Sequence, residues 1–435
     1  MSLLDRFFGL QAAGTTVATE VRAGVVTFLT MAYILFVNPQ ILSEAGLPKN
    51  DVAVATALAA AVATLVMGLV ARYPIALAPG MGLNAYFTYG VVGAMEVSWP
   101  MALAAVFVEG ALFLVLALTG ARAALMRAIP LSIKIATMSG IGLFLAIIGL
   151  SGAGLVVDHP ATLVTLGDVG STATLLSIGG LVLIAVLLAM ELRGAILVGI
   201  LGVTLACWLT RTSPLPEGIF AWPSLPEETF LALDFSQLLS GKLLLVVVAF
   251  LFVDIFDTAG TLMGVGRLGR FVDDEGELPR ANAAFAADAV GTMVGAAVGT
   301  STVTSYVESA TGVEEGGRTG LTAVTVSMLF LLSLFLTPLL IAVPVTATAP
   351  ALVVVGALMM RGAKELDWTR ADDAIPAFLT LVMMPFTYSI ANGISFGIVS
   401  YVAIKILRGR WREIHPLLAL LAAALIAFFA FRTGG

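Results

Sequence analysis

Charge and cysteine are what this 435-residue chain has least of. Only 11% of its residues are Asp, Glu, Lys or Arg and 59% are hydrophobic. Soluble globular domains carry about 25% charged residues, so this balance excludes that class and reads as a polytopic membrane protein. The single cysteine, Cys207 in an apolar run, excludes an intramolecular disulfide and leaves the redox compartment open. The two histidines, His159 in an expected outer loop and His415 at an expected membrane edge, read as bystanders. No GxxxxGK[ST] loop for ATP-driven pumping is present, and no HExxH or CxxC spacing for a metal. Gly264, Gly266 and Gly269 form a loose glycine pattern at a span end; without a βαβ context they read as packing, not as a dinucleotide site. Nothing encodes covalent catalysis, so an enzyme is not expected. The net charge of −6 is concentrated in loops, which makes the lipid bilayer an expected partner and nucleic acid an unexpected one.

What is present is a succession of apolar runs. A hydrocarbon core about 30 Å thick needs about 20 apolar residues as helix. Runs of that kind fall near 22–42, 52–71, 74–92, 100–120, 131–150, 175–191, 194–211, 243–266, 281–298, 300–313, 319–341, 346–361, 374–390 and 392–408, which predicts fourteen spans. Residues 414–431 form one more apolar run, either a fifteenth span or a helix lying against the bundle or the interface. The amino terminus lacks a short apolar core followed by a small-residue cleavage site, so the first span is expected to act as its own insertion signal.

The basic residues orient these spans. With the amino terminus inside, 18 of the 22 Lys and Arg, Arg122 among them, fall on the cytoplasmic side. Lys49, Arg211, Lys242 and Arg432 fall elsewhere, and the loops at 93–99, 151–174 and 342–345 hold no Lys or Arg. This is the asymmetry of an inner-membrane protein with a cytoplasmic amino terminus.

Acidic residues inside apolar runs carry the functional reading. Asp254 and Asp257 lie in LLLVVVAFLFVDIFDTAGTLMGV, and Glu308 in GTSTVTSYVESATGV. A charge in hydrocarbon costs roughly 2.5–3.5 kcal/mol even on lenient scales, so such residues face an internal cavity and handle ions or solutes. Asp254, Asp257, Thr258 and Thr261 stand at i, i+3, i+4 and i+7, one polar face of a helix. Asp288 and Glu109 are also expected to be buried, as supporting or helix-pairing groups.

The two halves of the chain resemble each other. A small-residue helix followed by a Pro/Gly-broken segment occurs in DVAVATALAAAVATLVMGLVARYPIALAPGMGLNAYF and again in RANAAFAADAVGTMVGAAVGTSTVTSYVESATG. Seven spans per half is an odd number, so the repeats would enter the membrane in opposite directions. Pro79, Gly80 and Gly82 interrupt the first segment, and Gly299, Thr300, Ser301, Thr302 and Thr304 the second. Broken backbone at that depth is tolerated only where protein buries it or where it lines a cavity. Each segment therefore reads as an extended piece leading into a half-helix, with Asn84 and Glu308 at comparable depths.

Three stretches, APGMGLNAYFTYG, FVDIFDTAGTLMGV and GTSTVTSYVESATGVEEGGRTGLTA, together resemble the azaguanine-type purine permeases of the nucleobase:cation symporter family, which also holds the uracil and xanthine permeases. The resemblance runs from LLDRFFGL to RGRWREIHP, nearly the whole chain. It implies an all-α polytopic membrane protein of fourteen transmembrane segments in two inverted repeats of seven. Spans 3 and 10 would each hold a short strand and a half-helix. A core domain (1–120 and 243–341) would be divided from a gate domain (121–242 and 342–435), through which relatives often form a homodimer.

The resemblance places the base-contacting acid of span 8 on Asp254, the span-10 glutamate on Glu308 and the span-3 asparagine on Asn84. Asp257 matches a further acid of the branch. Where the uracil and xanthine branch often has histidine, this chain has Thr258, so proton handling there does not use a histidine. The expected activity is elevator-type uptake of a purine nucleobase, with a proton as coupling ion at Asp254, Asp257 or Glu308; sodium would suit the same Asp, Thr and carbonyl donors. Gly82, Phe87 and Thr258 complete the expected substrate site, with Phe87, Tyr86 or Phe250 stacking on the ring and Asp288, Thr304 and Ser305 in support. The rival readings are an anion carrier of the sulfate or bicarbonate type, which shares the architecture, and a channel.

Overall fold

In the computed structural model, which describes residues 3–120, 127–273 and 278–432, ten helical stretches among the described residues, Val17–Ser43 counted through its break, are long and apolar enough to cross a membrane. Arg122 lies outside the described residues. The four expected runs outside that set are the two broken segments and two helices of 15 and 17 residues.

In chain order the helices of the first half are α1 (Leu3–Phe8), α2 (Val17–Met31), α3 (Ile34–Ser43), α4 (Lys49–Val66), α5 (Met81–Ala85), α6 (Trp99–Thr119), α7 (Leu131–Gly152), α8 (Thr172–Ala189) and α9 (Ala195–Leu209). Those of the second are α10 (Gly241–Leu268), α11 (Ala281–Val298), α12 (Ser309–Glu314), α13 (Gly320–Ser333), α14 (Thr337–Ile341), α15 (Val345–Met359), α16 (Ala371–Thr387), α17 (Ile390–Leu407) and α18 (Pro416–Arg432). Wider π-helical turns carry α4 on to Ala71 and α5 on to Ala94. The strands are β1 (Leu77–Pro79), β2 (Val156–His159), β3 (Leu163–Leu166) and β4 (Val303–Ser305).

Two sets of helices pack mainly among themselves. One joins α2, α4, α6, α10, α11 and α13; the other joins α7, α8, α9, α15, α16 and α17. Against the first set β1 and β4 pair antiparallel, with Leu77 opposite Ser305, Ala78 opposite Thr304 and Pro79 opposite Val303. The residue types explain the strands: Pro79 has no N–H to give a helix, Gly299 takes a left-handed φ of 104°, and the β-branched run 302–304 favours extended backbone.

Backbone groups that leave helical bonding inside a membrane need partners. Thr64 of α4 bonds both the N–H and the carbonyl of Leu77 through its hydroxyl, each at 2.9 Å. Thr292 of α11 does the same for Val303, at 3.2 and 2.9 Å. The internal repeat is therefore visible in the hydrogen bonds: a helix threonine clamps the following strand in each half, and the two strands run in opposite directions.

Two features depart from the sequence reading. The loop at 151–174 folds into an antiparallel hairpin of β2 and β3, with His159 opposite Leu163. The first apolar run is not one continuous helix; it breaks between Met31 and Ile34, at Ala32 and Tyr33. The final apolar run forms α18, which lays Leu418, Ala422 and Leu425 against the bundle at i, i+4 and i+7.

Candidate functional site

The crossing of β1 and β4 builds the site. Tyr306 crosses back from the end of β4, where its hydroxyl donates to the Pro79 carbonyl at 2.6 Å, and Gly80 N–H donates to the Thr302 carbonyl at 3.0 Å. These bonds hold the starts of α5 and α12 on either side of the crossing.

Beside the strands lies a cavity of about 440 Å³, within the roughly 300–1,000 Å³ of small-molecule sites. Asp257, Thr304, Ser305, Tyr306, Glu308 and Tyr33 form its polar wall. Met138 of α7 and Val355 and Met359 of the α15 end close it from the other helix set, with Arg361 at the rim. The cavity therefore lies between the two helix sets.

Glu308 accepts a hydrogen bond from the Tyr33 hydroxyl at 2.6 Å, a length typical of a charge-assisted bond. Tyr33 is fully buried apart from this contact. Asn38, one turn further along α3, donates to Thr56 and Thr300 at 2.7 and 2.8 Å, which ties the broken first span to α4 and to the approach to β4.

Among the residues expected at the site, Gly82, Asp257, Thr304, Ser305 and Glu308 line the cavity. Asp254, Asn84, Phe87, Thr258 and Asp288 do not. Asp254 is fully buried and turns toward Glu109, whose carboxyl lies within hydrogen-bonding reach. The polar stripe of α10 is real, but the cavity takes Asp257, Gly260 and Thr261 from it. Three residues of helix rise about 4.5 Å, so Asp254 falls one turn beyond the cavity, where α6 covers it.

Asn84 is buried and accepts from the Ser301 hydroxyl through Oδ1, joining the two broken segments behind the wall. Thr258 donates to Asp288 Oδ2 at 2.5 Å and shares a 2.9 Å hydrogen bond with Thr304. Phe87 is fully buried. Tyr86 and Phe250 contact each other, with ring centroids 5.0 Å apart, away from the cavity wall. The aromatic groups on the wall are Tyr33 and Tyr306.

Sequence reasoning missed Tyr33, because its run looks like one uninterrupted apolar helix. It also missed Glu20 of α2. That buried carboxylate accepts from the N–H groups of Arg318, Thr319 and Thr322 and from the Thr322 hydroxyl, at 2.6–3.3 Å, supplying the free amides at the start of α13.

Chemically, the wall presents carboxylate acceptors at Asp257 and Glu308 and hydroxyls at Thr304 and Ser305, against methionine and aliphatic surface on the opposite side. Such a site suits a flat polar solute with N–H donors along one edge.

Comparison with known proteins agrees with this architecture. The Permease family, that of the uracil and xanthine permeases, matches residues 18–396. The chain is 43% identical to the guanine/hypoxanthine permease PbuO of Bacillus subtilis, across 97% of this chain and 98% of that one. It is 43% identical to the adenine permease AdeQ of Escherichia coli, across 98% and 95%. Among solved structures, the transmembrane domain of the cyanobacterial bicarbonate transporter BicA matches with a TM-score of 0.68 at 16% identity, covering 86% of this chain and 97% of that one, a likeness of fold alone. The chain belongs to the uracil/xanthine permease family, alongside its adenine and guanine/hypoxanthine permeases.

Proposed function

We propose that this protein imports purine nucleobases, among adenine, guanine and hypoxanthine, by proton symport through an elevator-type alternating-access cycle. The observation that carries the reading is the cavity between the two helix sets, walled by Asp257 and by Glu308 held on Tyr33. Base N–H groups donate to the two carboxylates, and Tyr33 or Tyr306 lies against the ring face. The relatives named above for adenine and for guanine/hypoxanthine support the substrate class.

In this reading residues 1–120 and 243–341 form the moving core, and 121–242 and 342–435 the gate against which it slides. The protein sits in the cytoplasmic membrane with its amino terminus inside, and Arg361 marks the inner rim of the cavity. An anion carrier is not favoured, because two carboxylates on the wall repel a sulfate or bicarbonate.

The test is uptake of labelled hypoxanthine, guanine, adenine, uracil and xanthine into proteoliposomes under an imposed pH gradient. Purines should accumulate, a protonophore should abolish accumulation, and sulfate should not compete. Protonophore-insensitive equilibration, or uracil uptake without purine uptake, would defeat the reading.

A further inference from the structure

Behind the cavity three carboxyl groups converge where no solvent reaches. Glu109 of α6, Asp254 of α10 and Asp288 of α11 have no exposed surface. Glu109 and Asp254 lie within hydrogen-bonding reach of each other. None of their four carboxyl oxygens meets a donor, and Asp288 Oδ1 is likewise unmatched. The ionisable groups acting on the pair are all acids: Asp288 and, on the next turn of α10, Asp257.

Among the described residues, other elements bring no counterion to the pair. The π-helical turn packed on α6 contributes buried Tyr86, whose hydroxyl has no partner. Around β4 and α12 stand Tyr306 and Glu308, on the cavity side. Lys134 of α7 lies over the Phe256 ring at 5.8 Å, and Lys405 of α17 is engaged with Asp372 and Glu413.

Two ionised carboxylates facing each other in a dry interior are strongly unfavourable, and an unmatched buried acceptor adds to that cost. One proton between them turns the repulsion into an O–H···O bond. A path leads to this place from the cavity. Asp257 on the wall bonds Thr304, Thr304 and Thr258 share a 2.9 Å hydrogen bond, and Thr258 donates to Asp288 at 2.5 Å.

We propose that Glu109 and Asp254 together form the coupling-proton site, separate from the base site, and that Thr304, Thr258 and Asp288 connect the two. This rests on the proton-symport reading above. Base binding against Asp257 and β4 pulls on the same hydroxyl chain that ends at Asp288, whose charge acts on the acid pair, so occupancy of one site is felt at the other. The proton enters with the base from outside and leaves along this chain when the cavity opens inward.

The experiment uses the full chain in proteoliposomes with two readouts. Counterflow of labelled hypoxanthine without a pH gradient reports the base site; accumulation under an inward-directed proton gradient reports coupling. Glu109→Gln is expected to keep counterflow and to lose accumulation by about tenfold or more, a usual size for coupling between two sites. Glu109→Asp should restore part of it, and Thr258→Val should slow gradient-driven uptake. Wild-type accumulation in Glu109→Gln overturns the proposal.

Infrared spectra of the wild-type chain at neutral pH keep it open to refutation even if a variant fails to fold. They should contain the carbonyl stretch of a protonated carboxylic acid, and Asp257→Asn should retain it. Its absence from the wild type, or its loss in Asp257→Asn, overturns the assignment. If the wild-type chain performs counterflow but builds no gradient-driven accumulation, the symport reading falls, and the proton site with it.

Discussion

The Tyr33 hydroxyl and the Glu308 carboxylate, 275 positions apart in the chain, meet at 2.6 Å on the wall of the cavity between the two helix sets. Tyr33 stands at the break between α2 and α3, and Glu308 at the start of α12, so two interruptions of helix are fastened to each other at the site. The phenol fixes the direction in which the carboxylate presents its remaining lone pairs.

Tyr33→Phe removes the donor and leaves a partly buried carboxylate short of a partner. A hydrogen bond to a charged group contributes about 1.5–3 kcal/mol, so KM for a purine should rise by about tenfold or more. Initial-rate uptake at matched protein levels measures it, and an unchanged KM would show that the Tyr33 bond does not shape the site.

Asp257 and Asp254 should separate in their effects. Asp257→Asn alters the cavity wall and should weaken purine binding by about 1.5–3 kcal/mol, the value of one charge-assisted bond. Asp254→Asn, one turn away and off the wall, should weaken it less. Competition binding with purified protein decides this; equal losses would place both acids on the ligand.

At Gly82 an added Cβ would run into the side chain of Ile141 on α7, the point where the two helix sets touch beside the cavity. Gly82→Val should overpack this contact by about 1–3 kcal/mol and, if the two sets slide past each other, reduce the maximal transport rate. Ile141→Ala in the same chain should recover part of the rate. Recovery would locate the defect in this contact; a simple fold defect would show no rescue.

Glu20→Ala leaves the amides at the start of α13 without an acceptor. Buried unmatched donors cost about 1–3 kcal/mol each, so the melting temperature in detergent should fall clearly, with a smaller fall in Glu20→Gln. A wild-type melting temperature in Glu20→Ala would mean that water replaces the carboxylate freely.

The Lys405 ammonium, donating at 2.9 Å, holds the Glu413 carboxyl below its usual range. A depressed carboxylate stabilises the fold above its unfolded value, about 4.3, and that contribution is lost as pH falls through the folded value. Wild type should therefore exceed Glu413→Gln in thermal stability at neutral pH by a small margin, since the Glu413 carboxylate is exposed. The margin should narrow as pH falls below the unfolded value and vanish once it passes the lowered folded one; a margin that persists in strong acid would assign the effect to something other than charge.

Much of the architecture was legible from local chemistry. Scarce charge and repeated apolar runs predict the membrane class. Pro79 with Gly80, and Gly299 with the threonines after it, predict the two broken segments, because those residues cannot continue a helix whatever surrounds them. Asp257 and Glu308 announce themselves because a carboxylate in an apolar run needs a polar place to face. Tyr33 and Glu20 gave no such signal. A tyrosine in an apolar run is ordinary, and the partner that gives each residue its role lies roughly 300 positions away.

By itself the sequence determined that this chain lives in lipid, that its two halves repeat, and where its backbone must leave the helix, since hydropathy and backbone freedom are properties of neighbouring residues. The tertiary structure decided which acid of the α10 stripe meets the cavity and which turns inward to Glu109, because helical spacing allows either. That choice depends on how α6 and the β1–β4 crossing cover successive turns of one helix, which only long-range packing sets.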